Sequence, residues 1–210
     1  TSLLEAIHII CQGQSFKTRS LEQCIQHDSQ SFLIFSRFDH YKAGISRHHN
    51  QSQIRLDNEN ITRLSELAEK TPIRIINAET FSLVDGPPSL KREYIDWCVF
   101  HVEHDYHALW LEYRHALKQR NALLKSNQPN KQLEYWDEYL DQKNALIYQY
   151  RVKYIDEIDD IIKHQLNSLV DDLAVSIKYR PGWDTNQSLL EQLQAKQGKD
   201  LLLGFTHYGI

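Results

Sequence analysis

The first residues able to do chemistry are Thr1 and Ser2, set directly before the apolar run LLEAIHII. A Thr or Ser here completes a phosphate loop of the form G-x-x-x-x-G-K-[ST] when glycines and a lysine precede it. In such a loop the Thr1 hydroxyl ligates Mg²⁺, and the helix beginning there aims free N–H groups and its positive end at phosphates. The competing reading is an ordinary Ser/Thr helix cap. A second cluster is HVEHDYH, where His101, His104 and His107 recur every three residues with Glu103 and Asp105 between them. His101 and His104 share a helix face and His107 is rotated away. The spacing matches no closed zinc pattern, so a polar surface turn competes with a metal site. The His48-His49 pair reads as a solvated hairpin tip. Cys98 lies near His101, but inside the apolar run WCVF and without a G-x-S-x-G elbow, so a buried inert thiol is expected.

Basic residues form the third cluster. From Tyr113 to Leu133 there is no Asp or Glu, while Arg114, Lys118, Arg120, Lys125 and Lys131 all fall there. Arg114, Lys118 and Lys125 stand at helical offsets of four and eleven and share a face. Between Glu134 and Asp172 the balance reverses, with ten acids against four Lys/Arg. Such a row can contact phosphates with salt-sensitive affinity, or it can simply pair with the acidic helix beside it.

The elements that must position these residues can be read from composition and pattern. The chain has 210 residues, 41% hydrophobic and 25% charged. That suits one ordinary soluble domain or two small lobes sharing a core. No apolar run is long enough to span a membrane. A net charge of -4 gives no global basic field. Three cysteines, Cys11, Cys24 and Cys98, without C-x-x-C spacing, point to small core residues in a reducing compartment.

Residues 2–10 predict an amphipathic helix with Ser2 and Glu5 at capping-box spacing. SFLIFSRF, KAGISRH and SQIRLDN read as antiparallel strands. ITRLSELAEK reads as a short helix, and PIRII as a β-branched strand. Gly86, Pro87 and Pro88 break the chain, and Ser89 is placed to cap the next helix. The sequence is then mostly helical to about Leu173. One long helix is expected after a hinge near Pro129, with Tyr154, Ile158, Ile161, Leu166, Leu169 and Leu173 as its buried stripe. AVSIKYRPGW reads as a strand, SLLEQLQAK as a helix ending at Gly198, and LLLGFTHYGI as a final strand. The expectation is a mixed α/β fold with a helical insertion between two stretches that return to sheet.

Taken in order, TS-LLEAI, GQSFKT, AETFSLVDGPPSLKREYID, LKQRNALLK and FTHYGI resemble the RecF family of DNA replication and repair proteins. The most specific piece runs from Ala78 to Asp96. The family pattern there is P-[ED], a hydrophobic spacer, G-x-P, two spacer residues, R-R, one residue, an aromatic, an aliphatic and Asp. Glu79, Leu83, Val84, Gly86, Pro88, Arg92, Tyr94, Ile95 and Asp96 match it in register. Ala78 replaces the Pro, and Lys91 replaces the first Arg, keeping the charge but losing the planar fork.

The resemblance implies part of an ABC-type, SMC-like P-loop ATPase head carrying a helical arm. Residues 1–88 would be the first part of the head, 89–173 the arm, and 174–210 the return to the head. It also implies an internal fragment, without most of the Walker A loop, the signature motif and the Walker B strand, and with no ATP binding or hydrolysis of its own. The whole protein would bind ATP and Mg²⁺ and be a weak DNA-dependent ATPase. It would dimerise on ATP and act with RecR and RecO at single-strand gaps and duplex junctions. That is a cytoplasmic, nucleoid-associated role in recombination and the SOS response.

Carried residue by residue, Thr1 is the Mg²⁺ ligand and Ser2 its phosphate-loop neighbour. Lys17 is a nucleotide or DNA contact, and Glu79 sits in a Q-loop-like segment near the metal and attacking water. Lys91 and Arg92 link that segment to the arm. Arg114, Lys118, Arg120 and Lys125 are candidate DNA or partner contacts. Two readings from other classes stand beside this one: a helical protein-interaction module without nucleotide activity, and a metal-dependent hydrolase built on His101–His107.

Overall fold

The computed structural model describes residues 2–48, 51–126, 131–170 and 175–209, with Glu79 described by its backbone alone. Two compact units divide the chain, Thr1–Phe81 and Ser82–Ile210. Each has its own core.

In the first unit, α1 (Ser2–Gln12) buries Ile9, Ile10 and Cys11. A four-stranded antiparallel meander comes next: β1 (Ser31–Arg37), β2 (Lys42–His48), β3 (Gln51–Leu56) and β4 (Glu59–Ile61). Alternation with period two sends one set of side chains inward. The register places Ile34 opposite Ile45, Ile45 opposite Ile54, and Ile54 opposite Ile61. This isoleucine row runs across all four strands, so a one-residue slip would eject it to solvent. Helix α1 packs on β1 and β2, and Leu67 of α2 (Leu64–Lys70) closes the same core. Asp57 and Asn58, with φ of 48° and 73°, form the two-residue turn between β3 and β4, a primed-turn geometry that suits the strand twist.

The three predicted strands and the short helix form as expected. PIRII does not form a strand. None of the described residues supplies its main chain with a ladder, and Ile76 is exposed; β-propensity without a partner makes no strand. The Ser2–Glu5 capping box is also absent. Ser2 is already helical, and Glu5 accepts hydrogen bonds from Ser15 and Lys17 instead.

The second unit is helical: α3 (Ser82–Asp85), α4 (Pro88–Val102), α5 (Tyr106–Ser126), α6 (Gln132–Leu169) and α7 (Leu189–Leu203). Pro88 occupies the first turn of α4, where its missing N–H costs nothing, and Pro87 rather than Ser89 is the capping residue. Gly86 has no room for a side chain, since a Cβ would lie 2.1 Å from the Ser82 carbonyl oxygen.

Helices α5 and α6 run antiparallel: Arg120 bonds Asp137, Glu112 bonds Lys143, and Tyr106 bonds Arg151. Their buried residues recur at three- and four-residue steps. Tyr106, Leu109, Tyr113, Ala116, Arg120 and Leu124 on α5 face Leu133, Asp137, Leu140, Asn144, Ile147, Arg151 and Ile155 on α6, a coiled-coil-like seam. The buried stripe of α6 therefore lies in its first half. Ile161 and Leu169, expected inside, are exposed, because α5 begins at Tyr106, level with Arg151, and offers nothing beyond. The Pro129 hinge and Leu173 lie outside the described residues.

Residues 175–180 form no strand. The Ile177 N–H bonds the Asp159 carboxylate at 3.1 Å and the Tyr179 hydroxyl accepts from Arg151 at 2.7 Å, so the segment is held by side chains of α6. The final LLL is helical as well. Helix α7 starts at a capping box formed by Ser188 and Glu191, runs through Gly198, and ends at Gly204 with φ of 72°, the left-handed stop for which glycine is suited. No described helix is long and apolar enough to cross a membrane.

Candidate nucleotide and nucleic-acid sites

The opening of α1 faces solvent: Ser2, Leu3, Leu4 and Ile7 are exposed. The N–H groups of its first turn have no intrahelical partner. Thr1 lies outside the described residues. The loop after α1 returns to that first turn. The Ser15 hydroxyl donates to Glu5 Oε1 at 2.5 Å while accepting from the Lys17 N–H at 3.0 Å, and Lys17 Nζ lies 3.2 Å from Glu5 Oε2. The Ser15 hydrogen bond, with Lys17 adding its charge, holds the Glu5 carboxyl below the usual glutamate range. A lysine is thus stationed at the positive end of the helix. Glu79 falls in a short 3₁₀ turn, Ala78–Phe81.

In the second unit, Arg114, Lys118 and Lys125 project from the exposed face of α5. Together with His115, Asn121 and Ala122 they line an open groove of about 580 Å³. The Arg114 guanidinium lies 4.9 Å from the Trp110 ring centroid. None of the three forms an ion pair among the described residues. Of the acids of α6, Asp137 pairs with Arg120 and Asp159 with Lys163, and none pairs with the row among the described residues, so the simple reading of a row neutralised by its neighbour does not hold. Lys91 is exposed and Arg92 half-buried in the first turns of α4.

Arg120 does not belong to the row. It is fully buried, donating to Asp137 at 2.5 Å, Asp200 at 2.7 Å and the Thr206 hydroxyl at 2.9 Å. A DNA contact at Arg120 is therefore corrected to a structural role: it ties α5 and α6 to the end of α7. Burial pushes the Asp137 carboxyl up, against the pull of Arg120. Asn121 continues the tie, its Oδ1 accepting from the Thr206 N–H and hydroxyl at 2.8 and 2.7 Å.

A second buried cluster went unforeseen. Asp96, the last residue of the matched motif, accepts from Arg151 Nε at 2.8 Å, from the Tyr106 hydroxyl and from Trp110 Nε1 at 3.2 Å. The motif's aspartate thereby joins α4, α5 and α6. Only Arg151, a basic residue in the acidic stretch and in step with the apolar positions of α6, signals it in the sequence.

The histidines do not converge. His101 packs edge-on against Trp97 and Phe100, and His107 against Phe100. Among the described residues no group of three or more His, Cys, Asp or Glu is arranged to hold a metal. Cys98 is buried in the helical core and Cys11 in the sheet core.

These features sit on a known fold. The solved structures of the recombination mediator protein RecF, described as RecF-ATPrS and RecF-ATP in the RecFOR pathway, superpose on it with TM-scores of 0.84 and 0.81. Each match covers 99% of this chain at 22% identity, and 61% and 60% of the solved chains. The mixed α/β fold is therefore one shared with part of the solved RecF chains. No protein-family model matches the chain. Curated relatives carry the particular name. The DNA replication and repair protein RecF of Shewanella denitrificans is 31% identical over 214 residues, and that of Chromohalobacter salexigens 34% over 215. All of this chain is covered in both cases, and 59% and 60% of the relatives, so the chain spans about three fifths of their length. The chain is RecF-like from end to end, as the Ala78–Asp96 motif suggests.

Proposed function

We propose that the chain is part of an ATP-dependent, DNA-binding recombination mediator acting in DNA replication and repair. The observation that carries this is the similarity to RecF over the whole of this chain together with an exposed, unneutralised basic row on α5. In the whole protein the opening of α1 would receive ATP phosphates. Thr1 would hold Mg²⁺, Ser2 would flank it, and Lys17 would add charge at the helix's positive end. The open first turn and the lysine beside it fit an anionic group. Glu79 would act as the Q-loop-like residue near the metal and attacking water. Bound Mg²⁺–ATP would supply the switch between monomer and dimer; the residues here would position its phosphates.

Arg114, Lys118 and Lys125 would track the backbone of gapped or junction DNA, with Lys91 and Arg92 as a second contact. RecR and RecO are the proposed partners, and the bacterial cytoplasm at the nucleoid the proposed location, with the SOS response as setting. The test is binding to gapped DNA across a salt series. Three lost phosphate contacts lower the slope of log K against log salt by about 2 to 3, so the variant carrying Arg114→Glu, Lys118→Glu and Lys125→Glu should bind weakly and with a shallower slope. Unchanged affinity in that variant sinks the assignment of the row and favours a protein-interaction arm.

A further inference from the structure

The groove on the outer face of α5 is lined by one polar residue that the basic row leaves unused. Asn121 stands half-buried between Lys118 and Lys125, three residues past the one and four before the other, and so shares their face. The two ends of its amide have different occupations. Oδ1 accepts from the Thr206 N–H at 2.8 Å and from the Thr206 hydroxyl at 2.7 Å. Nδ2 makes no hydrogen bond among the described residues.

The sense of each bond follows from the groups that make it. A main-chain N–H only donates, so the Asn121 atom that meets it is the oxygen, and the amino group is turned to the other side of the amide. A guanidinium also only donates. The Thr206 hydroxyl oxygen therefore accepts from Arg120 Nη1 at 2.9 Å, and its hydrogen is left for Asn121 Oδ1. Arg120 Nη1 donates as well to Asp200 at 2.7 Å, and the other oxygen of Asp200 accepts from the His207 N–H at 3.0 Å. Arg120, Thr206 and Asn121 thus form a chain whose N–H and O–H groups all point the same way, from the buried guanidinium to the groove. Bonds aligned in one sense polarise one another, which makes the outermost donor a better partner for an anion. An amide clamped at its oxygen by two bonds also loses little freedom when its nitrogen binds.

We propose that Asn121 Nδ2 is a phosphate-binding donor of the α5 groove, with Thr206 and Arg120 as the positioning residues behind it. This rests on the reading of the groove as a site for a nucleic-acid backbone, and it adds an uncharged, directed contact to the three cations. Such a contact fixes where along α5 a phosphate sits, which flexible lysines alone do not. It also links a bound strand to the end of α7. Lys125 shares that link, because a Cβ on Gly204 would meet Lys125 Cγ at 3.5 Å.

Binding of the full chain to gapped DNA, followed by fluorescence anisotropy over a salt series, tests the role of Asn121. Asn121→Ala should weaken binding by about tenfold at every salt concentration. The slope of log K against log salt should not change, because an uncharged donor releases no counterion, whereas Lys118→Ala should make that slope shallower by about 1. Thr206→Val, which keeps the N–H and removes the hydroxyl, should weaken binding by about threefold, and Thr206→Ser should restore it. On the Asn121→Ala background Thr206→Val should cost nothing further, while independent structural effects would multiply. Urea midpoints show which variants keep the fold, and the Thr206→Val and Thr206→Ser pair carries the comparison if Asn121→Ala does not. Wild-type affinity in Asn121→Ala or in Thr206→Val, or losses that multiply in the double variant, overturns the proposal and leaves the basic row standing. Unchanged affinity in the Arg114→Glu/Lys118→Glu/Lys125→Glu protein overturns both.

Discussion

Arg114 and Arg120 come from one helix and meet opposite fates. Successive residues turn by about 100°, which sets Arg120 about 120° from Arg114, while Lys118 and Lys125 stay within about 40°. Arg120 instead keeps step with Tyr113, Ala116 and Leu124 on the buried seam. Its charge is compensated by Asp137 and Asp200, both as dry as itself. Removing one member of such a cluster strands the others in low dielectric. Arg120→Met should therefore cost about 3–5 kcal/mol of unfolding free energy in urea titrations, against under about 0.5 kcal/mol for Arg114→Met on the surface. Equal costs would mean that the buried cluster does not act as described.

At the scale of elements, boundaries are set by caps and partners. Helix α7 is the clearest case. Its capping box satisfies two main-chain donors, with the Glu191 N–H on Ser188 Oγ at 3.1 Å and the Ser188 N–H on Glu191 Oε2 at 3.1 Å. Ser188→Ala should lower stability by about 1 kcal/mol, read as a lower urea midpoint. Ser188→Asp should restore most of it, since Asp caps as well. The far end of α7 shows why LLL reads wrongly as a strand. A run of three leucines fits either period, and Gly198 suggests a stop. The helix continues because Asp200 must reach Arg120 and because Gly204 provides the left-handed end. PIRII and residues 175–180 make the complementary point: extended propensity needs a neighbouring strand, and no described residue provides one.

The whole molecule is two cores, one built on an isoleucine row beneath α1 and the other on the α5–α6 seam. Ile45 and Ile147 are fully buried in their respective cores. Each truncation to Ala should cost about 2–5 kcal/mol. Hydrogen exchange should lose protection in 31–61 for Ile45→Ala and in 106–155 for Ile147→Ala. Protection lost evenly across both units in either variant would show a single cooperative core instead.

The chain by itself determined the antiparallel strands, the pair of long helices and the basic row, because period, turn chemistry and charge are local properties. The Ala78–Asp96 motif was equally visible as a pattern, but the role of its aspartate was not. Only the tertiary structure decided that Arg120 is interior and that Asp96 and Arg151 clasp three helices. Each of those depends on residues distant in the chain arriving at one place, and burial, pairing and gaps exist only once they have.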